Sequence, residues 1–362
     1  MKIALLGDMA LISNFDLTKN DKKSIEVNLS FLKDKLNEYD YVIANLETPL
    51  TNKRKSLMCK SMHLRSDPIN VDILKYLKVN AVSIANNHML DFGKQGLLDT
   101  IKILEENNIE WYGAFNKSLL KKFNDVSLSL SGYCCYSTNA IGIGKYINEL
   151  SLNNLCKQME FDKKNNAISL LSLHWGLEHT NYPSFDQIKI VQKINKYNDY
   201  IIHGHHSHTI QGYQRSDNKK ICFYSLGNAI FDDCISINDK KKVELTDENK
   251  KTFIAGLNID NEKIRFKGIG IQFNQYKASP FDIDYELNKL SNSLKGIERK
   301  EQYVDIENLR NKQISKTIDK KFGKKDLKWV LQRLNYYSIG SFLLGKIRVE
   351  KYKKIMEKFN EQ

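Results

Sequence analysis

Short apolar runs alternate along the chain with segments whose apolar residues recur every three to four positions. The runs "KIALLG" (2–7), "YVIAN" (41–45), "AVSIAN" (81–86), "AISLLSLH" (167–174) and "YIIHG" (200–204) read as strands buried on both faces. Segments 24–37, 68–78, 94–107 and 184–197 carry the helical period between them. This alternation predicts α/β units around a largely parallel sheet. After Gly212 the texture changes. "ICFYSLGN" (221–228), "TFIAGLNID" (252–260) and "KIRFKGIGIQFN" (263–274) predict strands joined by short turns, hence a second, partly antiparallel sheet, with 238–251 as an exposed loop. From about Asp282 the pattern is helical and Lys-rich. Two units are therefore expected, an α/β domain over 1–278 and a helical appendage over 279–362.

The ends of the predicted strands carry the chemistry. Four of the eight histidines fall within six residues of "YIIHGHHSHTIQG" (200–212), directly behind an apolar run. Gly204 is expected to permit a sharp turn there, and in an extended segment His206 and His208 project to one side. The other strands end in Gly7-Asp8, in "NLETPLT" with Asn45 and Glu47, in "ANNHMLDFG" with Asn86, Asn87, His88 and Asp91, and in "HWGLEH" with His174, Glu178 and His179. Each group has an ordinary explanation as a cap or turn. Ligands in an open α/β sheet nevertheless gather at strand carboxyl ends, and five such ends supplying imidazoles, carboxylates and amides favour a bound metal. A donor set without thiolate suits manganese, zinc or iron, and two such ions side by side would support metal-assisted hydrolysis, foremost of a phosphoester.

Composition narrows the setting. The 41% hydrophobic content suffices for a core of this size. No apolar stretch is long enough to span a bilayer, and "MKIALLGDMA" does not read as an export signal, so a cytoplasmic location is expected. Six scattered cysteines without a C-x-x-C pair argue against a disulfide framework. The net charge of +13 is concentrated between Arg310 and Lys358, where 15 Lys/Arg stand against 4 Asp/Glu. Such a tail suits peripheral contact with an anionic inner membrane face or an acidic polymer, or equally the solvated faces of ordinary helices. Nucleic acid is disfavoured, because no binding motif accompanies the charge.

In sequence and order, "GD", "NLETPLT", "HLRSDP", "ANNHMLDFGKQGLLDT", "YGA", "HWGLEH", "GHHSHTIQG" and "FYSLGNAIFD" resemble the CapA-type capsule-synthesis proteins, the poly-γ-glutamate capsule branch of the calcineurin-like metallophosphatases. The resemblance covers residues 3–233. It implies a four-layer αββα metallophosphatase-like sandwich, here with a C-terminal basic helical appendage. It further implies Asp8, Glu47 (bridging), Asn87, His174, His206 and His208 as ligands of divalent ions. His88 would be the catalytic histidine beside them, oriented by Asp91. Asn45, His205 and Asn228 would stand behind the ligands, although slipping the motif by one residue would exchange His205 with His206. Arg65, Glu178 and Tyr182 would meet substrate. The Arg65 of "HLRSDP" could equally form a surface ion pair.

One departure stands out. The superfamily begins Asp-x-His, whereas this chain reads Asp8-Met9-Ala10. Two unequal metal sites are therefore expected, one with Glu47, Asn87, His174 and His206, the other with only Asp8, Glu47 and His208. Three functions remain open: a phosphoesterase acting on a phosphorylated or anionic saccharide or polymer in capsule assembly, an amide hydrolase or transferase on a poly-γ-glutamate-type polymer, and a non-catalytic accessory to the capsule-synthesis machinery.

Overall fold

The computed structural model describes residues 1–60, 62–123, 125–237, 242–322 and 335–360, and over 317–322 the backbone alone. The first sheet has eight strands: β1 (Lys2–Met9), β2 (Tyr41–Leu46), β3 (Ala81–Ser83), β4 (Glu110–Tyr112), β11 (Asn228–Ile230), β14 (Lys251–Ile259), β15 (Ile264–Asn274) and β16 (Lys277–Phe281). They run in the order β16-β15-β14-β1-β2-β3-β4, with β11 joined to the far end of β1. The second sheet has six, in the order β5-β6-β7-β8-β10-β9. These are β5 (Leu119–Phe123), β6 (Val126–Cys134), β7 (Ala167–His174), β8 (Tyr200–His205), β9 (Tyr213–Asp217) and β10 (Lys220–Phe223). A small ribbon of β12 (Cys234–Ile235) and β13 (Lys242–Val243) stands apart.

The continuous apolar runs are explained by layering. In β1, Ile3 and Leu5 face the second sheet and pack with Leu128, Leu170, Ile201 and Phe223. Ala4 and Leu6 turn the other way, among residues of α1 (Lys22–Asn28), α2 (Ser30–Leu36), α3 (Val71–Tyr76) and α4 (Gly93–Glu106). The outer face of the second sheet, with Leu171, Leu173 and Ile202, is covered by α5 (Leu152–Lys164) and α6 (Phe185–Ile194). The result is helix, sheet, sheet, helix, the four-layer sandwich expected. Each fully buried Leu or Ile contributes about 1.5–3 kcal/mol, so both sheets are held on two faces.

Several elements depart from the periodicity. The helix expected over 24–37 breaks at Leu29 into α1 and α2, and the one over 68–78 opens with a 3-10 turn at Pro68–Asn70. β6 and α5 were not anticipated. β14 and β15 do not belong to the second sheet. They extend the first, with β14 antiparallel to β1, because both faces of β14 are apolar and buried. The loop expected over 238–251 contains β13 and a 3-10 turn (Asp247–Lys250) in which Asn249 is buried, while residues 238–241 lie outside the described residues.

Residue 278 lies inside β16, paired with Phe273 of β15. Beyond it, α7 (Asp284–Asn292) sends Leu287 and Leu290 into the core between the sheets. After α8 (Val304–Phe322), α9 (Tyr336–Asn360) returns to bury Met356 and Phe359 against the outer helical layer. Much of the basic segment falls outside the described side chains. No helix among the described residues is long and apolar enough to cross a membrane. No disulfide forms among the described residues.

Candidate metal centre

β1, β2 and β3 are parallel, as are β6, β7 and β8, so their carboxyl ends collect at one edge of the sandwich. The registers place Asp8 opposite Asn45 and Asn228, and His174 opposite His205. Two glycines allow the strands to approach so closely. A Cβ on Gly7 would lie 1.9 Å from the Gly227 carbonyl oxygen, and one on Gly204 2.1 Å from that of Tyr224. Gly204 therefore serves close packing rather than a turn, and β8 runs through it to His205. The chain turns only afterwards. His206 (φ 89°) and His208 (φ 56°) adopt left-handed backbone that non-glycine residues rarely occupy. The His206 amide donates to Asp8 Oδ2 at 3.0 Å, tying that turn to β1.

Among the described residues, three groups each hold ligand atoms within 4.8 Å of one another: Glu47 with His174 and His206, Asp8 with Glu47 and His208, and Glu178 with His206 and His208. The first two bring together residues expected in the two sites, and both contain Glu47. Asn87 joins the first, its Oδ1 standing 3.1 Å from His174 Nε2. His206 enters these groups and His205 does not, although both ring nitrogens of His205 are buried without a partner.

The polar atoms fit bound cations. Both carboxylate oxygens of the fully buried Glu47, and Nδ1 of His174 and His206, have no hydrogen-bond partner. Burial and the neighbouring Asp8 carboxylate raise Glu47 well above the usual carboxylate range, and burial also raises Asp8. Burial and the neighbouring histidines hold His174 well below the ordinary imidazole value, and His206 is pushed down to about 3, mainly by burial. Neutral His174 and His206 beside carboxylates that resist ionisation leave the centre poised for a positive charge.

Surrounding residues orient the candidate donors. Asn45 Nδ2 donates to Asp8 Oδ1 at 2.8 Å, and Asn86 Nδ2 supports the Asn45 oxygen. His208 Nδ1 lies 2.9 Å from Asn228 Oδ1, which leaves Nε2 facing Glu47 at 3.6 Å. Asn228 Nδ2 in turn donates to the Asn249 carbonyl. Replacing such an outer partner typically weakens metal affinity 10–100-fold. Asn228→Ala is expected to lose about that much, read by calorimetric titration with Mn²⁺.

A cavity of about 80 Å³ adjoins the centre, lined by Asn87, His88, Glu178, His179 and His208 and walled by Met62, Leu64, Phe231, Val243 and Leu245. His88 Nδ1 lies 2.7 Å from Asp91 Oδ2. Lys60, whose position in the sequence carries no signal, is 1% exposed and reaches the same pair. Its Nζ stands 2.8 Å from Asp91 Oδ1 and 3.1 Å from His88 Nδ1. Burial and the Lys60 charge lower His88 despite Asp91. Arg65 is not brought to this cavity. Its guanidinium donates to the Thr51 carbonyl at 2.7 Å and pairs with Asp67 at 3.5 Å. Tyr182 packs at the edge of the apolar core, and Trp175 is buried and stacked on Tyr224. Asn249 was hidden within the expected loop; it donates to the His208 carbonyl at 2.8 Å.

The strand ends of this α/β sandwich converge on carboxylates and imidazoles around a shared glutamate. The chain belongs to the family described as "Bacterial capsule synthesis protein PGA_cap", which matches residues 2–233. It is 32% identical over 213 residues to "Capsule biosynthesis protein CapA" of Bacillus anthracis, covering 54% of this chain and 52% of that protein. It is 26% identical over 247 residues to "PGA biosynthesis protein CapA" of Bacillus subtilis (strain 168), covering 64% and 63%. The chain thus spans between half and two thirds of these curated relatives. A solved 5'-nucleotidase from Candida albicans SC5314 is similar with a TM-score of 0.42 at 11% identity, over 88% of this chain and 58% of that one.

Proposed function

We propose that the protein is a divalent-metal-dependent hydrolase, foremost a phosphoesterase, acting in the assembly of a capsule or other surface polymer. The observation that carries this reading is Glu47, a fully buried carboxylate without a hydrogen bond that lies in two ligand groups at once. An isolated buried charge is too costly to keep unless it is paired or coordinates a cation. Asn87, His174 and His206 would hold one ion, Asp8 and His208 the other, and Glu47 both. When bound, such ions supply Lewis acidity toward a phosphoryl or carbonyl oxygen and a more acidic water. The chain's own residues do the rest. Asn45 and Asn228 fix the donor atoms, His88 stands at the cavity with Nδ1 turned to Asp91, and its other nitrogen is left to exchange a proton with a leaving group.

A second reading, amide cleavage or transfer on a polyglutamate-type polymer, is favoured by the cavity wall. That wall is largely apolar, and Lys60, the lysine among the described lining residues, is engaged with Asp91. A panel of phosphomonoesters, phosphodiesters and γ-glutamyl peptides, assayed with Mn²⁺, Zn²⁺ or Fe²⁺, separates the two. Phosphoester turnover that disappears on chelation is expected. Turnover of γ-glutamyl substrates alone selects the second reading, and hydrolysis undiminished by chelation refutes both.

A further inference from the structure

The position that is histidine in the Asp-x-His pattern is Ala10 here, buried in an apolar cluster with Ile12, Leu64 and Cys234. It offers no donor atom, so Asp8, Glu47 and His208 make a three-donor site. The segment after β7 brings a carboxylate beside His206 and His208. Beyond His174 the chain turns at Gly176 (φ 85°), where a Cβ would lie 2.9 Å from Gln187 Oε1, and again at His179 (φ 60°). The His179 amide then donates to the Ser207 carbonyl at 2.7 Å. That bond clamps residues 176–179 onto the histidine turn, and His179 Nδ1 is further held 3.2 Å from Asn249 Nδ2. Between the two turns sits Glu178, whose carboxylate falls within 4.8 Å of donor atoms of both His206 and His208. Its side chain is 35% exposed and lines the cavity, whereas Glu47 is 0% exposed.

The geometry points to Glu178 as a metal ligand in its own right, the cavity-side carboxylate that restores the donor Ala10 lacks at the His208 site. This rests on the metal-centre reading above and deepens it. His206 and His208 belong to different ion sites, so a carboxylate reaching both can draw the two ions together from the open side as Glu47 does from the buried side. Three carboxylates among the donors also shift the second site toward an oxygen-preferring ion such as Mn²⁺. The sequence is compatible with this placement, because Glu178 lies four residues beyond the ligand His174, with a glycine between them to reverse the chain.

The test is Mn²⁺ titration by calorimetry, with metal content after dialysis as an independent readout, on the full chain, Glu178→Gln and Glu178→Asp. The full chain is expected to bind one ion tightly and a second more weakly. Glu178→Gln should weaken the second ion tenfold or more and leave the first within about threefold. Glu178→Asp, which keeps the charge but shortens the reach, should fall between. Circular dichroism and thermal melting check that the variants are folded. If the glutamine variant binds both ions as the full chain does, or loses only the tighter one, the ligand assignment is overturned while the metal centre stands. If the full chain itself binds no Mn²⁺, Zn²⁺ or Fe²⁺, the metal-centre reading falls with it.

Discussion

Glu47→Gln is expected to abolish metal-dependent hydrolysis and yet make the metal-free protein more stable. Glu47 lies in both ligand groups, so the amide removes charge from both ion sites. The metal-dependent rise in melting temperature should disappear with it. For a folded-state ligand present at 100 times its dissociation constant, that stabilisation is about 2.7 kcal/mol. In the metal-free protein the sign reverses. Both carboxylate oxygens are buried without a hydrogen bond, and a buried unsatisfied polar group costs about 1–3 kcal/mol, more when charged. The neutral amide escapes the charge penalty and should melt higher in chelator at pH 7.

The pH dependence provides a check. The folded pKa of Glu47 lies well above its ordinary value of 4.5. Between those two values the folded protein binds the proton more tightly than the unfolded chain, so Glu47 destabilises the metal-free fold fully above the folded pKa, and that penalty fades as pH falls from there to the ordinary value of 4.5. His88, His174, His203, His205 and His206 act in the opposite direction, since their folded pKa values are lowered and stability falls as pH drops below 6.5. The raw profile mixes these effects. The difference in melting temperature between Glu47→Gln and the parent isolates Glu47 and should shrink toward zero as pH approaches 4.5. A difference that is constant with pH, or a parent that melts higher in chelator throughout, would show that Glu47 is satisfied without a cation.

How far the sequence anticipates this site depends on the kind of constraint involved. Asp8, Glu47, Asn87 and His174 each end an apolar run, and strand period together with parallel topology brings such ends to one edge. His206 and His208 were expected to point the same way from an extended strand, and they do meet the other ligands, but through a left-handed turn that no residue pattern reveals. Asn249 and Lys60 were missed because their type and surroundings read as surface. A lysine among polar residues is ordinarily solvated, and only the tertiary fold buries this one. For Arg65 the motif left two equal readings, an anion partner or an ion pair, and only the fold shows its guanidinium on the Thr51 carbonyl and Asp67. The strand pairing of β14 was hidden for a related reason: an antiparallel return to β1 and a new sheet share the same alternation.

Lys60→Met should be the most destabilising single change around the cavity. Lys60 and Asp91 are each 1% exposed and form an ion pair at 2.8 Å. Asp91 also accepts from the Leu64 amide at 2.7 Å, which anchors the loop bearing the cavity wall. Removing one partner of a buried pair leaves the other charge uncompensated and costs about 3–5 kcal/mol. Methionine keeps most of the volume, so the loss should come from charge rather than from a cavity. Pairing the change with Asp91→Asn removes the orphaned charge as well, and the double variant should recover part of the loss in a thermodynamic cycle. The same substitution bears on catalysis. Lys60 lowers the His88 pKa while Asp91 raises it, so in Lys60→Met the opposing charge is gone and His88 should titrate higher. A proton-detected titration of the ring would record that rise, and the pH profile of hydrolysis should move in the same direction. If Lys60→Met melts within 1 °C of the parent and the His88 titration is unmoved, Lys60 neither holds Asp91 nor sets the charge of the histidine beside the metal centre.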